Sequence, residues 1–194
     1  ELLRQCAHPG GAAICGAMLW YPDETIQHAG IVTGLGGYAG HSHKYKKKGG
    51  SGYLFRTSTV QDFSGVTGAC LLVKTAVYDE MHGLDEQFAV AFNDVDFCLR
   101  VRDAGYRIAW TPYAELIHYE SKSRGGDEKD PVKAARFAAE QQRLYTIHGK
   151  ENILDDPYYN PNLTRDREDF SESDDLRRLK EGRVTVRFRG GTLQ

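Results

Sequence analysis

The residues of this sequence best placed to do chemistry are carboxylates and a histidine on two neighbouring segments. Asn93-Asp94-Val95-Asp96 opens a stretch that continues Phe97-Cys98-Leu99-Arg100, and His118 ends the next apolar segment, Leu116-Ile117-His118. A carboxylate can act as general base when it lies within about 2.6–3.2 Å of the proton it removes, or one water away. A place at a helix N-terminus favours its ionised form and so keeps it a proton acceptor at neutral pH. An imidazole at the end of an adjacent element can ligate a divalent metal ion. The same residues also have a plainer reading. Asn93, Asp94 and Asp96 are all good helix-capping types, and an isolated histidine is more often structural than a ligand.

The surrounding elements must position these groups. Val95, Cys98, Leu99 and Val101 recur at helical spacing, so Asn93 or Asp94 caps a helix that ends at Gly105. Upstream, 12–19 reads as a buried strand, 21–24 as a turn pinned by Pro22, and 25–33 as a second strand that completes a hairpin. Residues 34–52 are rich in Gly, His and Lys and read as one long loop. The run 66–73 predicts another buried strand, followed by a short helix over 75–81 with Gly83 as its C-cap. Residues 106–110 read as a strand and 116–119 as a separate extended piece. Pro131 starts a long helix that runs to His148. A proline-pinned loop at 155–163 precedes a highly charged segment, and 183–188 alternates like an edge strand.

Composition narrows the classes. The chain has 194 residues, 40% hydrophobic and 27% charged, with a formal net charge of −2. That balance is ordinary for a globular α/β domain and gives no basic face for nucleic acid. No apolar run reaches the ~20 residues that span a bilayer. Cys6, Cys15, Cys70 and Cys98 are scattered without a C-x-x-C pair, which reads as free thiols in a reducing, cytoplasmic compartment.

Several motifs in order, ELLRQC, GLGGYAGHSH, VTGACLLVKTAVYDEMHGLDEQF, NDVDFCLRVRDAGYRIAWTPYAELIHYESKSRG and DPYYNPNL, resemble family-2 inverting glycosyltransferases of the GT-A type. The nearest resemblance is to rhamnosyltransferase-like bacterial enzymes of surface-polysaccharide synthesis. It covers roughly residues 1–165 and leaves 166–194 as a charged tail. It implies the C-terminal, acceptor-side portion of a GT-A fold, a mixed sheet flanked by helices, with the N-terminal nucleotide-binding half missing. The implied activity moves a hexose or deoxyhexose from a nucleotide-sugar to a glycan or lipid-linked acceptor.

The resemblance also implies roles for single residues. Asp94 becomes the general base and His118 a ligand to Mn²⁺ or Mg²⁺. Ser123 and Arg124 become neighbours of the donor diphosphate, since Arg can fork to phosphate oxygens. Thr67 and Gly68 line the sugar site, with Asn93 and His41 on the substrate side. The family often has Glu where this chain has Asn93. The Asp94-Val95-Asp96 triplet imitates a metal-binding aspartate pair, but it opens a helix after the acceptor half rather than closing a strand before it. Asp96 is expected at the third helical position as a first-turn acid.

Other features carry less. His41 and His43 lack a partner cluster for a metal site, and the glycines at 34–37 have no following helix to make a phosphate loop. The lysines at 46–48 read as a solvated run, with peripheral attraction to the inner face of a membrane as the alternative. Two other readings stand beside the enzyme. One is a catalytically silent fragment that self-associates, for example as a homodimer, through an exposed sheet edge. The other is a carbohydrate-binding module without chemistry.

Overall fold

A computed structural model describes residues 1–119 and 130–174, together with the backbone of 187–188 and 191–192. The elements in chain order are α1 (Leu2–Ala7), β1 (Ile14–Trp20), β2 (Ile26–His28), β3 (Ile31–Thr33), β4 (Ala39–His41), β5 (Gln61–Asp62), β6 (Leu71–Val73) and α2 (Thr75–Glu80). They continue with α3 (Asn93–Asp103), β7 (Ile108–Ile117), α4 (Pro131–His148), α5 (Lys150–Leu154), β8 (Arg187–Phe188) and β9 (Gly191–Thr192). The main sheet is mixed. β1 runs parallel to β7, while β2 and β6 pair antiparallel with opposite ends of its other edge, and β5 pairs with β7. Every residue of β1 is buried, as its unbroken apolar run requires of a strand covered on both faces. This mixed α/β arrangement fits a nucleotide-sugar-transferase-like fold.

Three expectations change. The second strand of the hairpin is broken: β2 ends at His28, Gly30 takes φ 98°, and β3 pairs instead with β4, which lies inside the expected long loop. The predicted strand over 66–73 pairs only at 71–73. Its first half is a wedge rather than a strand. The Val66 side chain fills the space left by the missing Cβ of Gly16, and Cys98 Sγ on α3 brackets its backbone at 3.5 and 3.6 Å. Residues 108–117 form one strand, not two segments. The register jumps from Ala17–Thr111 to Met18–Glu115, so the stretch holding Pro112 bulges out where no ladder N–H is needed.

The helices follow the sequence closely. Asp130 caps α4 by accepting from the Val132 N–H at 2.9 Å, with Pro131 in the first turn. α3 is capped by Phe92 in the left-handed region (φ 64°), so Asn93 and Asp94 are its first two residues and Asp96 its fourth rather than its third. At the end of α2 the left-handed positions are His82 and Gly83, whose amides return to Asp79 and Tyr78.

The charged segment after 165 also hides a core residue. Phe170 is 5% exposed and stacks on His43 at a centroid distance of 4.1 Å. Lys48 is likewise not simply solvated, since it reaches Glu115 at 2.9 Å and lies over the Trp20 ring.

Candidate active site

The wedge at 63–68 builds the site. Gly30 lets Phe63 pack close, Gly16 admits Val66, and the next two residues are delivered to the start of α3. There the Gly68 N–H donates to Asp94 Oδ2 at 2.8 Å, while Asp94 Oδ1 accepts from the Val95 N–H at 2.9 Å. Asn93 Oδ1 accepts from the Asp94 N–H at 2.7 Å and helps fix the turn. Each carboxylate oxygen therefore takes one backbone donor and keeps a second lone pair for a ligand. Asp94 and His41 line one small cleft of about 140 Å³, walled by Ile31, Phe92 and Val95. The structure thus brings Asp94, Gly68, Asn93 and His41 together, with Thr67 next in chain.

Behind this cleft lies a residue that sequence reasoning missed. His28 is fully buried, and its Nδ1 is 2.8 Å from His41 Nδ1. Its Nε2 accepts from the N–H groups of Gly30 at 3.3 Å and Thr67 at 3.4 Å. Burial, with His41 and His118 nearby, holds its pKa well below the usual histidine value, so it is a neutral imidazole. The signal in the sequence was slight: one histidine after Ile26-Gln27 and before Ala29-Gly30.

His118 sits just past β7, its N–H donating to Trp20 O at 2.9 Å. Leu19 of β1 pairs with His28, so His28 and His118 flank the carboxyl ends of the parallel strands β1 and β7. Open α/β sheets bind ligands outside such ends. Among the described residues His118 Nδ1 is enclosed and meets no hydrogen-bond partner. Among the described residues, however, no group of three or more His, Cys, Asp or Glu side chains could hold a metal ion. A divalent ion would fit only if most of its ligands came from elsewhere. Ser123 and Arg124, expected beside a diphosphate, lie outside the described residues.

The second aspartate of the triplet does different work. Asp96 is 1% exposed and accepts from Arg100 at 2.8 and 2.9 Å and from His148 Nε2 at 2.8 Å. Burial pushes its pKa up, but the bonds from His148 and Arg100 outweigh this and hold it below the usual carboxylate range. Arg100 also reaches Met81 O and Gly83 O at the end of α2. Asp96 is a clamp between α3, α4 and α2 rather than a metal ligand.

The remaining candidates are structural. His41 and His43 diverge, and His43 Nε2 accepts from the Tyr53 N–H at 2.9 Å beneath Phe170. The amides of Gly34, Gly36 and Gly37 bond to Tyr38, Arg165 and Gly34 carbonyls, so none is left to cradle phosphate. Burial raises the thiols of Cys15 and Cys98 to about 12, which makes both poor nucleophiles. A roomier cleft of about 700 Å³, lined by Tyr53, Arg56, Asp62, Arg107 and Tyr158, contains none of the expected site residues.

Comparison with known proteins finds similarity to proteins named for O-antigen biosynthesis and for rhamnosyl transfer. It is 34% identical over 165 residues to the O-antigen biosynthesis protein RfbC of Myxococcus xanthus, covering 84% of this chain and 12% of that protein. An N-acetylglucosaminyl-diphospho-decaprenol L-rhamnosyltransferase of Mycobacterium tuberculosis is 32% identical over 80 residues, covering 41% of this chain and 24% of the relative. An uncharacterized protein of Sinorhizobium fredii, y4gI, is 47% identical over 171 residues, covering 88% of this chain and 18% of that protein. The chain therefore spans less than a quarter of the length of each of these relatives. No family model and no solved structure matches it.

Proposed function

We propose that this chain forms the acceptor side of an inverting GT-A glycosyltransferase that moves a hexose or deoxyhexose from a nucleotide-sugar onto a glycan or lipid-linked acceptor. The observation that carries the reading is the Asp94 carboxylate. It is oriented by the Gly68 and Val95 amides at the wall of a cleft, with lone pairs to spare. Asp94 takes the proton of the acceptor hydroxyl as that oxygen bonds to the anomeric carbon. The bond from that carbon to the diphosphate oxygen breaks on the opposite face, so the configuration inverts. Thr67 and Gly68 border the sugar, and Asn93 shapes the turn that presents the base.

His118 offers an imidazole donor to a divalent ion, Mn²⁺ or Mg²⁺, whose charge would offset that of the departing diphosphate. The described residues supply no complete ligand set, so the other ligands would come from the donor and from a nucleotide-binding half elsewhere in a longer polypeptide. Ser123 and Arg124 belong to the same proposal as diphosphate neighbours. So does a cytoplasmic setting at the inner face of the membrane. Among the described residues no helix is long and apolar enough to cross one.

The test is transfer to glycan acceptors from a panel of UDP-, dTDP- and GDP-sugars, using a polypeptide that joins this chain to the donor-binding segment of a relative. Turnover that is abolished by chelation and by Asp94→Asn supports the reading. Glycan binding that is indifferent to both would instead mark a carbohydrate-binding module.

A further inference from the structure

The roomier cleft, beside the amino-terminal end of β7, holds a cation that meets no acceptor among the described residues. Arg56 lines this cleft, half-buried, and its guanidinium lies over the rings of Phe63 and Phe170 at 4.9 and 5.8 Å. Its Nε and Nη2 are enclosed without a hydrogen-bond partner, which leaves Nη1 as the nitrogen open to the cleft. The rings attract the charge but supply no oxygen. The carboxylates nearby are already engaged. Asp156 accepts from the Thr33 N–H and hydroxyl through Oδ2 and from the Tyr158 N–H through Oδ1. Asp62 accepts from Arg107 Nε and Nη2 at 3.1 and 3.0 Å. Burial accordingly lowers the pKa of Arg56 from the ordinary arginine value, in spite of the charge on Asp156. A partly desolvated cation without a partner is costly, and packing alone would be served better by an apolar side chain of similar length.

The lining of the cleft indicates the missing partner. Arg56 and Arg107 against Asp62 leave one net positive charge, which matches a monoanion. A guanidinium offers its N–H groups in a plane that fits a carboxylate. Beside it stand Tyr53 and Tyr158, each with an apolar ring face and a polar tip. Asn160 Nδ2 reaches the Tyr53 hydroxyl at 3.2 Å and steadies that ring. We propose that this cleft is a second saccharide site, which takes a uronic acid residue of an acidic glycan with its carboxylate on Arg56 and its ring against Tyr53 and Tyr158. It is separate from the cleft that Asp94 lines, where the reaction is placed, so a glycan would be held there by a residue other than the one that reacts. The anion site rests on the geometry around Arg56; that its ligand is a saccharide rests on the glycosyltransferase reading.

The test is NMR titration of the full chain, following the Arg56 Nε–H resonance, with methyl β-D-glucuronide, methyl β-D-glucopyranoside, α-D-glucose 1-phosphate and acetate. The glucuronide should bind tightest and the neutral glucoside about ten-fold more weakly, the worth of one charge-assisted hydrogen bond. Arg56→Met should weaken glucuronide binding by the same factor without lowering Tm, because it removes an unpaired cation and keeps an apolar stem. Glucuronide and glucoside binding alike, or no response of Arg56 to any of the four, would overturn the anion site without any variant having to fold. A lower Tm for Arg56→Met with glucuronide binding intact would make Arg56 a packing residue and overturn it too. Acetate binding as tightly as the glucuronide would overturn the saccharide part, and tighter binding of the phosphate would overturn the choice of a carboxylate. Absence of sugar transfer by the longer polypeptide would leave the Arg56 result standing, so the two readings fail separately.

Discussion

The Gly68 amide donates to Asp94 Oδ2 across 2.8 Å, joining the loop between β5 and β6 to the first turn of α3. The contact exists because Val66, two residues earlier, is wedged between Gly16 and Cys98. The candidate base is thus held by backbone from a distant part of the chain, which leaves its outward lone pairs available. Asp96, two residues on, is spent on packing. That division of labour within one triplet leads to the first prediction.

Asp96→Ala removes one partner of a buried, charged network and should cost about 3–5 kcal/mol, a fall in Tm on the order of 6–20 °C for a chain of this size. Asp94→Asn keeps a side-chain oxygen for one of its two amide donors and should cost no more than about 1 kcal/mol. Thermal unfolding of the two variants side by side checks this. Equal losses would mean that Asp94, too, is chiefly a structural clamp.

Acid should destabilise the protein in two stages. Burial, with Lys46 and Arg56 nearby, lowers the pKa of His43 from 6.5 to about 4. As pH falls the unfolded chain therefore takes up that proton first, and stability present above pH 6.5 is lost down to about pH 4. The size is roughly 3 kcal/mol. Asp96, with its pKa held below the ordinary 3.8, adds a loss that begins only as pH falls through that value. Melting curves between pH 7 and pH 4.5 should decline less steeply for His43→Gln, whose amide oxygen can still accept from Tyr53. An unchanged slope would remove His43 from the account.

Two glycines should behave in opposite ways. At Gly30 a Cβ would lie 2.5 Å from the Phe63 ring, at a φ of 98°. Gly30→Ala therefore combines overpacking with backbone strain and should cost on the order of 2–5 kcal/mol. At Gly68 a Cβ would stand 3.5 Å from that of Asp94, an ordinary contact. Gly68→Ala should stay within about 0.5 kcal/mol of the parent while crowding the approach to the carboxylate. Calorimetry reads the first effect, and the KM for acceptor reads the second.

What the sequence revealed depended on whether the signal was local. α4 with Pro131 in its first turn, and α3, were legible because capping residues and helical periodicity act over a few residues. The break at Gly30 was not, because it follows from Phe63 packing against a strand far away in sequence. The apolar run at 66–73 looked like one strand. Its first half is fixed by Gly16 and Cys98, partners that periodicity cannot supply. Pro112 split one strand into two on paper because a bulge that absorbs a proline leaves no local mark. His28 was hidden for the same reason: its role appears only when β4, the Thr67 loop and the end of β7 converge on it.

The most direct test of the central claim is acceptor-dependent turnover by the longer polypeptide carrying Asp94→Asn, with folding verified by its melting temperature. The account predicts a fall in kcat of about 10²–10⁴-fold, the range a general base contributes, with affinity for the nucleotide-sugar retained. Turnover within a few-fold of the parent would contradict it and move the base to another residue.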